Sequence, residues 1–235
     1  MKPSEQRHLA EIQAELRRVI RYDDESIVNG RWIRQRYDCG CFPSLRPART
    51  ATVRAAWHEA GHAVAALEVG ARFSSASIHH GCATEGRVHG IRGAGELAFV
   101  IDAAGQIAER LMTWTMLEHD DELAAWLATW RRDGDARRFR RGIAARFAGP
   151  VPTRGGTGPS GGTPDPGGPE PPDEVGAWRY SESVLVPLRP KIRELARALL
   201  IHARPLPYAV AAAVAGLPLA GGSGGSAPRV NTAEG

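Results

Sequence analysis

Five consecutive residues, His58-Glu59-Ala60-Gly61-His62, constrain this chain more than any other feature. On a helix, residues four apart leave the backbone on one face, so the two imidazoles point the same way with Glu59 beside the first. Imidazoles placed like this can grip one tetrahedral Zn2+ ion, and the carboxylate next to them reaches a water in an open coordination position. The spacing predicts His58 and His62 as metal ligands and Glu59 as a general base, not a ligand. The plainer alternative is a helix whose two histidines are partly buried and hydrogen-bonded.

The flanking sequence predicts a helix over 51–70. Val53, Trp57, Ala60, Val64 and Leu67 recur at spacings of three and four, Thr50 or Thr52 is available as N-cap, and Gly70 stands where a C′ glycine belongs. The histidines lie about a hundred degrees from Trp57, toward Ala55, Ala66 and Val69, so the site borders a core instead of facing bulk water.

With 235 residues, 43% of them hydrophobic, the chain is long enough to bury one sizeable core, and a single catalytic domain is expected. No apolar run reaches the roughly 18 residues of a membrane span, and the start of the chain, with Lys2, Glu5, Arg7 and Glu11, lacks the apolar stretch of a secretion signal. A cytoplasmic protein without a membrane span is expected. Leu206 to Ala220 is the most apolar stretch, and Pro207 and Pro218 break it, which suits a packed terminal helix. Three cysteines give no disulfide framework; Cys39-Gly40-Cys41 resembles half of a metal knuckle, but only Cys82 follows it. The net charge of +4 comes from arginine, since Lys2 and Lys191 are the only lysines. Arg131-Arg132 and Arg137-Arg138-Phe139-Arg140-Arg141 form a local basic cluster. Without a helix-turn-helix pattern or interleaved aromatics, it reads as a solvated helix face, and nucleic acid is not an expected partner.

The rest of the chain predicts a mainly α (α+β) fold with a small β element after the motif helix. Residues 1–49 hold an amphipathic helix from Glu5 to Ile20, a docking or packing element, and a mixed connecting segment in which Pro43 and Pro47 act as breakers. The core spans 50–148. Within it, 72–91 reads as two short strands carrying His79, His80 and His89, which could line a cleft; helices are expected over 95–117, 120–131 and 135–147. In the first of these, Leu97, Val100, Ile101, Ala104, Ala108 and Leu111 face inward while Asp102, Gln106 and Glu109 fall on the other face. Residues 149–176 are dense in Gly and Pro and read as a flexible insert, 177–217 as the C-terminal helical part of the same domain, with its helical pattern from Leu188, and 218–235 as a disordered tail.

In this order the pieces resemble the peptidase domain of the FtsH-like ATP-dependent zinc metalloproteases. Ala56-Trp57-His58-Glu59-Ala60-Gly61-His62-Ala63 matches that family's H-E-A-G-H-A motif. Ala103-Ala104-Gly105-Gln106-Ile107-Ala108-Glu109 is similar to its Gly-Gly-Arg-x-Ala-Glu helix, with Gln106 where arginine is usual. Gly134-Asp135-Ala136-Arg137-Arg138-Phe139 is similar to the Asn-Asp-Leu-x-x-Ala-Thr segment that donates the third zinc ligand. The likeness covers roughly residues 50 to 215. It implies a zinc-dependent peptidase acting on polypeptides. No transmembrane segment and no G-x-x-x-x-G-K-[ST] loop is present in this sequence, so activity independent of ATP is expected, with a separate ATPase or a homo-oligomer as possible partners.

Residue periodicity bears on the third ligand independently. Asp135 lies four and eight residues before Phe139 and Ile143 and shares their face, whereas Asp133 groups with Arg137 and Arg140. Asp135 is the preferred ligand, with an N-cap as its alternative role and Glu109 as the alternative ligand. Gly105 reads as a position where this helix crosses close to the motif helix. Two other functions remain open: a catalytically silent zinc-binding interaction module, against which the retention of Glu59 argues, and a nucleic-acid-associated regulator using the arginine cluster.

Overall fold

The computed structural model of the chain describes residues 1–19, 45–79, 85–113, 115–130, 134–147, 174–202 and 204–219. The Cys39-Gly40-Cys41 pair, His80, Cys82, Asp133, most of the Gly/Pro-rich insert and the tail lie outside the described residues.

Helix α1 (Pro3–Val19) buries Ile12 completely and packs on the C-terminal helices, as a docking element should. Helix α2 (Leu45–Glu68) carries the H-E-x-x-H motif and begins six residues before the expected start. Pro47 falls in its first turn, where no intrahelical N–H bond is needed, so the proline opens this helix instead of blocking it. Thr50 and Thr52 consequently lie inside α2 and are not its caps. At the other end Gly70 takes φ 75°. The amide of Ala71 then returns to the Ala66 carbonyl at 2.8 Å and that of Gly70 to Leu67 at 3.2 Å, the paired bonds of a Schellman ending. The predicted stripe of Val53, Trp57, Ala60, Val64 and Leu67 is buried throughout.

Strands β1 (Ser75–His79) and β2 (Glu85–His89) form an antiparallel hairpin with Ser75 opposite His89 and Ser77 opposite Arg87. A third strand, β3 (Leu206–Pro207), pairs with the other side of β1, giving the order β2-β1-β3 and leaving β2 at an edge. A 3-10 turn (Gly95–Leu97) leads into α3 (Ala98–Thr113), shorter than the predicted element, and then come α4 (Asp120–Thr129) and α5 (Gly134–Phe147).

Helix α6 (Glu174–Leu185) is the main departure from expectation, since composition placed its first turn in the flexible insert and the last helical pattern only from Leu188. What orders it is tertiary. Trp178 is fully buried, edge-on to Trp126 and Trp130 at ring separations of 4.9 and 5.4 Å, and its indole N–H donates to Glu182 at 2.7 Å. A 3-10 turn (Val186–Leu188) joins α6 to α7 (Arg189–Ile201), and α8 (Tyr208–Ala215) follows β3. The expected single helical region is divided here because Pro205 and Pro207 supply no amide to continue a helix. The result is mainly helical with one small antiparallel sheet, and no described helix is long and apolar enough to cross a membrane.

The packing that positions the site is the crossing of α2 by α3. At Gly61 an added Cβ would strike the carbonyl oxygen of Ala104 and the Cβ of Ala108. At Gly105 an added Cβ would lie 2.5 Å from Nε2 of His58 and 2.6 Å from Nε2 of His62. The two helices therefore meet backbone to backbone at paired glycines. Replacing Gly61 by alanine should gain about 1 kcal/mol in helix propensity and lose about 1–3 kcal/mol to overpacking. Because one obstructing atom belongs to the backbone of α3 and cannot swing aside, the loss should win. Urea unfolding of Gly61→Ala is expected to show a lower midpoint; a midpoint at or above wild type would contradict the close crossing.

Candidate metal centre

Two helices bring three donors to a common point. His58 and His62 leave α2 one turn apart, and Asp135 enters from the first turn of α5. The Nε2 atoms of the histidines are 3.0 Å apart, and Oδ2 of Asp135 lies 3.0 Å from the first and 3.3 Å from the second. Bonds of about 2.0–2.1 Å at a tetrahedral zinc put neighbouring ligand atoms about 3.3 Å apart. The triangle of donors has the edge lengths of one face of such a tetrahedron, and these three residues can hold a metal ion.

The far side of each imidazole supports this assignment. Nδ1 of His62 lies 2.6 Å from the carbonyl oxygen of Ile101 on α3, and Nδ1 of His58 lies 2.9 Å from Oε1 of Glu109. A carbonyl and a carboxylate only accept, so each Nδ1 carries the proton and donates. When the rings are neutral each Nε2 presents a lone pair inward and with Asp135 three acceptors converge; with no cation among them, a proton on His58 shared with Asp135 takes that place. Acceptors at this spacing repel unless a cation or a proton lies among them, which is how a histidine is set for metal ligation through its outer partner.

Asp135 is held by both its oxygens. Oδ1 accepts from the Arg138 guanidinium one turn along α5, and Arg138 also donates from Nε to Asp102 of α3 at 3.1 Å. Asp135 is inside the helix, not at its cap position, and it is buried with Phe139 and Ile143 as its spacing predicts. Glu109, the alternative ligand, is not in the donor triangle. Its Oε2 accepts from Arg54 Nε at 2.9 Å while its Oε1 faces His58, so it stands behind the first ligand. The helical pattern set Glu109 on the face away from the apolar stripe of α3, yet α2 crosses close enough for His58 to reach it. Glu109's role as an outer partner, and those of Asp102, Arg138 and the Ile101 carbonyl, had no signal in the sequence.

The electrostatics follow from this arrangement. Burial disfavours the charged form of His58, but its hydrogen bonds to Asp135 and Glu109 outweigh burial and push its pKa up to about 10. Asp135 is driven the opposite way: burial would raise it, yet the hydrogen bonds from His58 and His62 hold it well below the usual carboxylate range. Burial would also raise Glu109, and its bonds to His58 and Arg54 bring it down instead. Glu59 is raised. Burial is the main cause, partly offset by the nearby imidazoles and by the Val88 amide.

Glu59 packs against β2 at Gly86, where any added Cβ would collide with its side chain. It lies in a cleft of about 480 Å³ bounded by His58, His62 and Asp135 on one side, the Gly86–Val88 stretch of β2 on another, and Arg138 at the mouth. His89 is exposed at the end of β2 and is not among the described residues lining this cleft, and only the backbone of His79 is described.

No protein-family model, curated protein or solved structure matches this chain.

Two measurements test the centre. Asp135→Ala should weaken zinc binding far more than Glu109→Gln, for which the loss of an outer partner predicts about 10–100-fold; equal metal retention by Asp135→Ala and wild type in elemental analysis would remove Asp135 from the ligand set. The second concerns pH. Metal binding must displace the proton that His58 holds below about pH 10. Apparent zinc affinity should therefore rise about tenfold per unit between roughly pH 6 and 8, and a chelator competition that gives a flat profile would contradict the His58 environment.

Proposed function

We propose that this chain is a zinc-dependent metallopeptidase that hydrolyses peptide bonds in unfolded or small polypeptides. The observation that carries the reading is the convergence of His58, His62 and Asp135 at tetrahedral edge lengths, with Glu59 buried beside them in an open cleft. The likeness of the motif helix and of the segments around Gly105 and Asp135 to FtsH-like peptidases supports it further. A zinc ion bound there would supply Lewis acidity toward a peptide carbonyl and lower the pKa of a coordinated water toward neutrality.

The remaining steps belong to the chain's own side chains. Glu59 takes the proton of the attacking water and passes it to the leaving amine, and its raised pKa suits a base that must return what it accepts. The Val88 amide and the wall at Gly86 fix the carboxylate in position. Glu109 and the Ile101 carbonyl keep both ligating imidazoles in the Nδ1–H tautomer. Beside them β2 offers its outer edge, to which an extended polypeptide can add as a further strand running along the cleft.

Glu59→Gln decides between this reading and a silent zinc-binding module. The amide keeps the shape of the side chain but accepts no proton, so the variant should retain zinc and fold while hydrolysis of an unfolded polypeptide falls by about 10²–10⁴-fold. Zinc-loaded wild type that cleaves no unfolded polypeptide would favour the module instead. A stably folded substrate should survive, since global opening costs about 5–15 kcal/mol and its cleavable population is tiny. ATP should change neither result for this chain alone.

A further inference from the structure

The sequence of α5 places five arginines against one aspartate in a single helix, and the structure accounts for three of them. Arg138 is bound to Asp135 and Asp102. Arg140 grips Glu174 through two nitrogens at 2.6 and 2.7 Å and caps the carbonyls of Leu127 and Trp130. Arg146 lies over the rings of Phe99 and Tyr180. Arg137 and Arg141 are different: both are exposed, and no carboxylate among the described residues pairs with either. Being one helical turn apart they repel each other, so helix stability does not explain them.

These two arginines are not spread over a convex surface. With Gly134, Arg138 and Arg140 they line a groove of about 460 Å³, and Gly134 and Arg138 line the metal cleft as well. The groove and the cleft thus adjoin at the first turn of α5. Arg87 of the edge strand also lines the cleft, is exposed and likewise has no carboxylate partner among the described residues. A chain laid along β2 past Glu59 meets the guanidinium groups of Arg87 and Arg138, and among the described lining residues Asp102 and Asp135 are already bonded by Arg138.

We infer that the groove carrying Arg137 and Arg141 is a subsite for acidic side chains of the polypeptide substrate, so that the enzyme selects peptides carrying glutamate or aspartate beside the bond it cuts. The inference rests on the peptidase reading above. Guanidinium forks pair with carboxylates in two parallel hydrogen bonds, which gives orientation as well as attraction. A nucleic acid is the less suited occupant: no aromatic side chain on which bases stack is among the groove's described lining, and the groove adjoins a cleft beside a strand edge.

The test uses the full chain as Glu59→Gln in zinc, titrated with two fluorescent unstructured peptides of equal length, one bearing several glutamates and the other glutamines at the same positions. The acidic peptide should bind about tenfold more tightly at low salt, and the gap should narrow as ionic strength rises. Adding Arg137→Glu and Arg141→Glu should abolish the gap, while the same double substitution in the Glu59-containing chain still cleaves the neutral peptide, showing an intact fold and centre. Equal affinity for the two peptides, or a gap that survives the double substitution, overturns the proposal. So does a single-stranded oligonucleotide that binds more tightly than the acidic peptide and is lost with the same two arginines. If wild type cuts neither peptide but the arginine-dependent gap is present, the subsite stands and the peptidase reading falls.

Discussion

The close approach of α2 and α3 is the constraint on which the site depends. Glycine at 61 lets the carbonyl of Ala104 come against α2, and glycine at 105 leaves the space that both imidazoles occupy. A side chain at either place would push the helices apart. His62 would then lose the Ile101 carbonyl and His58 the Glu109 carboxylate, since both partners sit on α3. Helix crossing and imidazole orientation are therefore one feature, and Gly105 of α3 is as much part of the candidate centre as the histidines are.

A similar economy holds on the third side. Arg138 ties Asp135 of α5 to Asp102 of α3, so the helix that donates the last ligand is fastened to the helix that orients the first two. Phe99 of α3 and Phe139 of α5 pack with ring centroids 6.3 Å apart on the apolar side of the same pair. The ion pair alone, half in solvent, would contribute little. Seated beside buried aromatics, it sets where the Asp135 carboxylate points.

The parts of this arrangement that were legible in the sequence are those fixed by spacing along one element. The i, i+4 histidines, the buried stripe of α2, the Gly70 ending and the shared face of Asp135, Phe139 and Ile143 all follow from helical periodicity, and the space at Gly105 followed from the absence of a side chain. The parts that were not legible depend on which elements meet. Glu109 was read on a face turned from its own helix's apolar stripe, and only the position of α2 brings it to His58. Only the first turn of helix α6 fell in the Gly/Pro-rich window, and Trp178 orders the helix through contacts with Trp126, Trp130 and Phe139 far away in the chain. β3 is two residues long, too short for any alternation to show, and its existence follows from the free edge of β1.

Charge around the centre argues for the kind of ion it accepts. Among the described residues, four carboxylates, Glu59, Asp102, Glu109 and Asp135, stand within or against the cleft together with three guanidiniums, Arg54, Arg87 and Arg138, of which Arg54 and Arg138 are bonded to carboxylates. With both imidazoles neutral and donating outward, the site keeps net negative charge, which favours a cation at the donor triangle. The imbalance is visible in the carboxylates that have no full partner: burial pushes Glu59 and Asp102 upward, and only those bonded directly to the histidines are held low. A cation at the centre of the donor triangle acts on Glu59 across a short, poorly screened distance and favours its ionised form. On the proposed reading, the charge that would complete the donor set is also the charge that would keep Glu59 ionised, whereas Arg137 and Arg141, outside this balance, are left to meet whatever enters from solvent.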